Sequence, residues 1–225
     1  MSLWRAAWHV LQKDLRIELR TGEVVVTTGL FATLVTVLGS LSFFIDESSA
    51  RLVAPGVLWI AVAFAGVLAM SRSWSRERDN EVFRGLLMAP SPRAALYVGK
   101  LLGTLAFLIV VEAIVVIEVA ILFNLELGPI VGPLALLLGL GTIGFAAAGN
   151  LFAAMGVRTS ARDMVLAVAL FPVIAPALLC GVVGTRELLA GAPLHEIWAW
   201  VRILSAFDVT FVTAGVLLFE LLVCD

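Results

Sequence analysis

Charged residues are scarce in this sequence. Asp, Glu, Lys and Arg make up 14% of its 225 residues, and hydrophobic residues make up 61%; a soluble globular domain carries about a quarter charged residues. A composition this apolar is typical of an all-α integral membrane protein with several spanning helices. The net charge of −2 offers no basic surface for a nucleic acid, so we expect no nucleic-acid partner.

Motifs that carry chemistry are also missing. The two cysteines, Cys180 and Cys224, are too few and too far apart for a disulfide framework or a CxxC metal site. The chain has no GxxxxGK[ST] loop, so any ATP hydrolysis must come from a partner chain. No Ser/His/Asp or Cys/His set indicates a hydrolase. We therefore expect a non-catalytic membrane subunit with no metal site.

The N-terminal region lacks the apolar stretch and small-residue cleavage site of a signal peptide. Residues 1–23 instead follow the 3.6-residue period of an amphipathic helix. Trp4 and Trp8 lie on its apolar face, and Lys13, Arg16 and Arg20 lie on the opposite face. Tryptophan prefers the headgroup layer, so this pattern favours a helix in the membrane interface over a soluble helix packed on a partner.

Long apolar runs predict six spanning helices in a single domain, residues 1–225. The predicted spans are 24–44, 52–70, 101–123, 129–157, 164–183 and 203–223. The fourth span is rich in small residues, which predicts close helix packing. Pro172 and Pro176 predict that the fifth span is bent or broken. Residues 184–203 mix charges with tryptophans and predict an external interfacial or re-entrant segment.

The distribution of basic residues predicts orientation. Residues 1–23 hold four Lys or Arg, residues 70–100 hold six and residues 157–163 hold two, whereas the opposite loops hold Arg51, Arg186 and Arg202. Loops rich in Lys and Arg stay in the cytoplasm. Both termini and residues 70–100 are therefore predicted to be cytoplasmic.

Two acidic residues, Glu112 and Glu118, fall inside the third predicted span. An ionised carboxylate is costly in the membrane, so such residues are functional candidates. They lie about 120° apart around the helix and do not face one common site. A proton or substrate site is one interpretation, and a hydrogen bond to a neighbouring helix, or a protonated carboxyl, is the other.

Residues 70–100 form the longest charged interruption of the apolar sequence. Within it, Phe83, Leu86 and Leu87 form a short semi-apolar run that ends at Pro90. Ser91-Pro92 then predicts a helix start, with Ser91 as the N-cap. The following helix would exceed the thickness of the bilayer core, so its first turns must protrude. A segment that docks on a soluble motor and an ordinary charged loop both fit this pattern.

Several stretches form a recognisable set of motifs: KDLRIELR at 13–20, PGVLWIA at 55–61, ERDNEVFRGLLMAP at 77–90, GK at 99–100, and FDV at 207–209 with LFE at 218–220. Together they resemble the heme exporter protein B (CcmB) family, the ABC-type permease subunit of cytochrome c maturation. The resemblance covers essentially the whole chain.

This resemblance implies six spans of an ABC-2-like permease in a bacterial inner membrane and a separate ATPase subunit docked on the cytoplasmic side, which would bind the ATP. It also implies a heme-handling membrane protein, a periplasmic heme chaperone and two permease copies per complex. Heme would be a substrate, and the ATPase would act on heme export or on release of the heme-loaded chaperone. Carried over to this chain, the residues that contact the ATPase would be Glu77, Asp79, Glu81, Phe83, Leu86, Leu87 and Pro90.

Other functions share this architecture. An ABC-2 type exporter of lipid, polysaccharide or drug would have the same arrangement of spans. A scaffold that only assembles the heme-handling complex would need no coupling. A proton-driven carrier would depend on Glu112.

Overall fold

The computed structural model describes residues 2–43, 47–79, 92–156 and 162–224. Across these ranges it contains seven α-helices, one 3₁₀ turn at Gly128–Ile130 and no strand. The helices are α1 (Leu3–Thr21), α2 (Glu23–Phe43), α3 (Glu47–Asp79), α4 (Arg93–Leu122), α5 (Val131–Gly156), α6 (Arg162–Leu189) and α7 (Leu194–Cys224). Helices α2 to α7 are each long and apolar enough to cross a membrane, which confirms the six predicted spans.

Two of these helices extend well beyond the predicted spans. Helix α3 has 33 residues and α4 has 30, so they measure about 50 Å and 45 Å at 1.5 Å per residue. Arg51, which the sequence assigned to a loop, is inside α3. Helix α4 begins at Arg93 with Pro92 at the N-cap position, one residue later than predicted. Both helices exceed the roughly 30 Å of the hydrocarbon core.

The two prolines of α6 do not interrupt it. Pro172 and Pro176 lie inside one continuous helix of 28 residues, so this span is not broken, and the predicted bend stays a prediction. Membrane helices tolerate proline because neighbouring helices and local adjustments satisfy the freed carbonyl groups.

The segment predicted at 184–203 is divided between two long helices. Helix α6 continues to Leu189, and α7 begins at Leu194. A short turn joins them, with Gly191 at a φ of 79°, in the left-handed region that glycine adopts readily. No separate re-entrant element therefore exists in these described residues. The placement of this turn at the membrane interface stays a prediction.

Small residues on α5 receive large side chains from other helices, as the sequence predicted. Thr142, Ala146, Asn150 and Ala154 are all buried along this helix. A Cβ at Gly141 would overlap the ring of Trp59, and one at Gly149 would overlap the side chain of Met70 on α3. These close approaches pack α5 against α3, α6 and α7 at the centre of the bundle.

Candidate functional site

The helix ends on either side of residues 80–91 carry a buried group of charges. Lys13 and Asp14 come from α1, Glu77 from the last turns of α3, and Lys100 from the first turns of α4. The Lys100 ammonium lies 2.6 Å from Glu77 and 3.0 Å from Asp14. Lys13 lies 3.1 Å from Asp14 and donates a hydrogen bond to Glu77. The four side chains form a closed ring of alternating sign, here called the charge ring.

The charge ring is mostly removed from solvent. The side chain of Lys100 is 1% exposed and that of Glu77 4%, whereas Lys13 is 29% exposed. Two cations and two carboxylates leave no net charge, which is the condition under which buried charges are tolerated. Burial is the largest influence on Lys13 and opposes its charged form. The carboxylates of Asp14 and Glu77 together outweigh burial and raise the pKa of Lys13.

A second charge cluster continues the contact between α1 and α3. Arg76 lies 3.1 Å from Glu18 on α1 and 3.1 Å from Glu23, the first residue of α2. Arg72, one turn earlier on α3, also pairs with Glu23 at 3.2 Å. The other oxygen of Glu18 accepts a hydrogen bond from the backbone N–H of Val25 at 2.7 Å. This bond satisfies one of the N–H groups that lack a partner at the start of α2.

Two glycines allow α1 to lie against α4. Gly99 and Gly103 are four residues apart and share one face of α4. A Cβ at Gly99 would lie 2.6 Å from the Cβ of Val10 and 2.8 Å from the carbonyl oxygen of Ala7, and one at Gly103 would lie 3.4 Å from Asp14. The missing side chains bring the backbone of α1 close enough for Asp14 to reach Lys100.

A hydrogen-bond chain connects this region to the centre of the bundle. The ammonium of Lys100 lies 5.8 Å from the ring centre of Trp74. The indole N–H of Trp74 donates to Asn150 on α5 at 2.9 Å, and the amide of Asn150 donates to Thr104 on α4 at 3.1 Å. Nearby, the hydroxyl of Tyr97 donates to the carbonyl of Ala147 at 2.9 Å. Asn150 therefore links α5 to both α3 and α4 by hydrogen bonds.

The two acidic residues of α4 both accept hydrogen bonds from other helices. Thr142 on α5 donates to Glu112, and Thr33 on α2 donates to Glu118 at 2.6 Å. Of the two interpretations left open by the sequence, the structure agrees with hydrogen bonds to neighbouring helices. Asp208 on α7 is buried against Gly144 of α5, where the missing side chain lets α7 approach closely.

Glu112 also borders a groove of about 500 Å³ between α4 and α5. Its other lining residues are apolar and include Ile109, Val116 and Leu138. Across the described residues, no group of three His, Cys, Asp or Glu side chains has the arrangement of a metal site.

Comparison with known proteins extends over nearly the whole chain. The family model described as CcmB protein matches residues 5–220. The chain belongs to the CcmB protein family. It is similar to heme exporter protein B of Bradyrhizobium diazoefficiens, with 26% identity over 184 residues, 81% of this chain and 82% of that protein. It is 24% identical over 204 residues to heme exporter protein B of Pseudomonas aeruginosa, 89% of this chain and 90% of that protein.

The similarity to the Escherichia coli K12 protein of the same name is shorter, with 24% identity over 96 residues, 43% of this chain and 44% of that protein. Family membership and the six long apolar helices make this chain a multi-pass transmembrane protein of the permease type. The resemblance read from the sequence motifs is thereby confirmed.

The residues predicted to contact an ATPase fall into two groups in this CcmB-family structure. Glu81, Phe83, Leu86, Leu87 and Pro90 lie outside the described residues. Asp79 is the last residue of α3, and its side chain lies outside the described part. Glu77 is the one whose side chain is described, and it is buried in the charge ring.

The residues predicted for the interfacial helix differ in exposure. Trp4 and Trp8 are 72% and 55% exposed, and Arg16 and Arg20 are exposed as well. Lys13, which the sequence assigned to the outward polar face, turns towards α3 and α4 and joins the charge ring. The face of α1 that packs on the bundle carries Ala7 and Val10.

Asp14 and Lys100 were missed as site residues. Asp14 and Glu18 continue the heptad-like series of Ala7 and Leu11, so two carboxylates occupy the face that packs on the bundle. Carboxylates on a packed face require buried cations, and this signal was readable in the sequence. The identity of the cation was not, because Lys100 is far away along the chain.

Proposed function

We propose that this chain is the membrane permease subunit of an ABC-type complex in cytochrome c maturation. It would couple a partner ATPase to heme export or to release of a heme-loaded periplasmic chaperone. The observation that carries this proposal is the CcmB family match across residues 5–220, with relatives named heme exporter protein B over more than 80% of the chain. The chain itself has no P-loop, so the partner supplies ATP hydrolysis.

The proposal places the complex in a bacterial inner membrane with both termini in the cytoplasm. Twelve of the fifteen basic residues lie in the segments assigned to that side. The ATPase would dock on residues 80–91 between α3 and α4, with Glu81, Phe83, Leu86, Leu87 and Pro90 as contacts. Both flanking helices are longer than the hydrocarbon core, which leaves their ends free to project towards a soluble partner.

The architecture supports this role mechanically. Helices α3 and α4 contact each other and also α5, α6 or α7. A displacement of residues 80–91 would therefore reach most of the bundle through two rigid helices, rather than being absorbed by a flexible loop.

Recovery of the ATPase tests the docking site directly. A tagged chain extracted in detergent from its native membrane is expected to bring down a second chain with nucleotide-binding motifs. Glu81→Lys and Phe83→Ala should each lower that recovery several-fold. The matched control is Glu126→Lys, an exposed glutamate in the turn after α4, beyond the opposite end of that helix from residues 80–91. Equal recovery from all variants would refute docking at 80–91, and absence of any ATPase would refute the function.

The substrate requires a separate assay. Release of heme-loaded chaperone from reconstituted membranes should depend on this chain and on ATP. ATP-driven movement of a lipid, polysaccharide or drug without any effect on the chaperone would favour a general ABC-2 exporter. Normal c-type cytochromes in a strain whose Glu81→Lys protein no longer recovers the ATPase would favour a scaffold.

A further inference from the structure

The charge ring joins α1 to both helices that flank residues 80–91. Lys13 and Asp14 on α1 pair with Glu77 at the end of α3 and with Lys100 at the start of α4. Along the chain, Glu77 precedes the proposed docking segment by three residues and Lys100 follows it by nine. Any movement of that segment reaches them through at most a few turns of helix.

The contact of α1 with this pair of helices is close as well as charged. The backbone of Ala7 and the side chain of Val10 occupy the space that a Cβ on Gly99 would need. Arg76 adds ion pairs to Glu18 at the far end of α1 and to Glu23 at the start of α2. Helix α1 is thus held to α3 at two levels and to α4 along one face.

The opposite face of α1 is free of the bundle. Trp4 and Leu19, at the two ends of the helix, are 72% and 88% exposed. An amphipathic helix with such a face lies in the headgroup layer. A helix that is held to α3 and α4 by buried ion pairs, and whose remaining side chains are largely exposed, follows those helices when they move.

We propose that α1 is a lever of the coupling mechanism, and that Lys13, Asp14, Glu77 and Lys100 are positioning residues that make it move with residues 80–91. This inference rests on the proposed function, because the movement originates in the partner ATPase. Glu77 then acts within the permease by holding α1 and does not itself touch the ATPase. Each cycle of the ATPase shifts α1 within the membrane surface.

A label on α1 tests the lever in the assembled complex. A Leu19→Cys variant, in a background with Cys180 and Cys224 replaced by alanine, carries an environment-sensitive fluorophore at an exposed site. Addition of ATP to the ATPase-bound complex should change its emission. The same fluorophore on Leu38→Cys of α2, 53% exposed and remote from the charge ring, should change much less.

Two variants of the ring separate a lever from a merely structural contact. Lys13→Met leaves the ring with a net negative charge, and adding Asp14→Asn restores neutrality with the pair of Glu77 and Lys100 intact. The single variant should weaken the response at Leu19, and the double variant should lose it while regaining thermal stability. Arg5→Met removes an exposed cation from the same helix and should leave the response unchanged.

The outcomes discriminate between the two proposals. A stable double variant that binds the ATPase and responds to ATP like the parent overturns the lever, and so does a parent complex whose Leu19 label never responds during ATP turnover. In either case the proposed function stands. If no ATPase is recovered with the parent chain, the proposed function fails and the lever falls with it.

Discussion

The ammonium of Lys100 lies 2.6 Å from the carboxylate of Glu77, although residues 80–91 separate the two helices along the chain. Both side chains are almost completely buried. This pair joins the end of α3 to the start of α4. Asp14 and Lys13 complete the charge balance from α1. The chain thus holds three helices together beside its predicted docking segment with a group of charges that is neutral as a whole.

Loss of one member of this pair should destabilise the fold more than loss of both. Lys100→Met leaves two carboxylates with one cation, and breaking a buried pair in this way costs about 3–5 kcal/mol. In Lys100→Met/Glu77→Gln the ring is neutral again, so most of that loss should be recovered. The stability of the single and the double variant is measured by thermal unfolding of the detergent-solubilised protein, followed by tryptophan fluorescence.

The control for this series is Arg51→Met, which removes an exposed basic residue from α3 at its other end. It should change the unfolding temperature little. A double variant less stable than Lys100→Met would contradict the neutral-ring interpretation.

The docking of α1 should depend on the absence of a side chain at Gly99. A Cβ there meets Val10 and the carbonyl of Ala7, and the backbone cannot yield without moving the helix. Gly99→Ala is therefore expected to loosen α1. The measurement is the rate at which maleimide labels Ala7→Cys, a site that is 1% exposed in the parent.

Gly139→Ala provides the comparison, because a Cβ at Gly139 of α5 meets nothing within 4 Å. It should leave the labelling rate unchanged. Labelling of Ala7→Cys that is equally slow in the Gly99→Ala protein would show that α1 does not pack as described.

The hydrogen bond from Trp74 to Asn150 should contribute measurably to stability. Trp74→Phe keeps an aromatic ring beside Phe219 but leaves the acceptor of Asn150 without its 2.9 Å donor. Hydrogen bonds between membrane helices contribute about 1–2 kcal/mol in model peptides. We expect a destabilisation of about that size, plus a loss from the smaller ring, in chemical unfolding from detergent.

Trp198→Phe is the matched substitution, since Trp198 is 56% exposed. Its stability should stay within about 0.5 kcal/mol of the parent, as for most surface changes. If the two variants lose equal stability, the hydrogen bond contributes nothing beyond ring size.

Glu112 should act as a hydrogen-bond acceptor and not as a proton carrier. In Glu112→Gln the side-chain amide oxygen can still accept the hydrogen bond that Thr142 donates. We expect c-type cytochrome levels close to those of the parent strain. Thr142→Val removes the hydroxyl that donates to Glu112 and leaves the buried carboxyl group without this hydrogen bond. This variant should lower the amount of folded protein.

For both variants the measurement is the yield of c-type cytochromes relative to the amount of this chain in the membrane. Complete loss of cytochromes with normal levels of the Glu112→Gln protein would favour the proton-driven carrier instead.

The sequence by itself determined the class of this protein. Six apolar runs and a scarcity of charge specify six membrane helices, because each run must bury its backbone polar groups within one helix. The motifs from Lys13 to Glu220 were sufficient to identify the family. The small residues of α5 were enough to predict close helix packing, and the amphipathic period of residues 3–20 predicted α1.

Only the tertiary structure decided which side chains meet. Periodicity assigns Lys13 to a polar face but cannot show that its side chain reaches Glu77, which lies on another helix. Likewise, the two prolines predicted that α6 is bent or broken, and the helix is continuous because neighbouring helices can satisfy the freed carbonyl groups. Local pattern fixes helices and their faces, whereas ion pairs between distant segments depend on how the helices are arranged around one another. That arrangement buries Glu77, which the sequence assigned to the ATPase contact, beside Lys100.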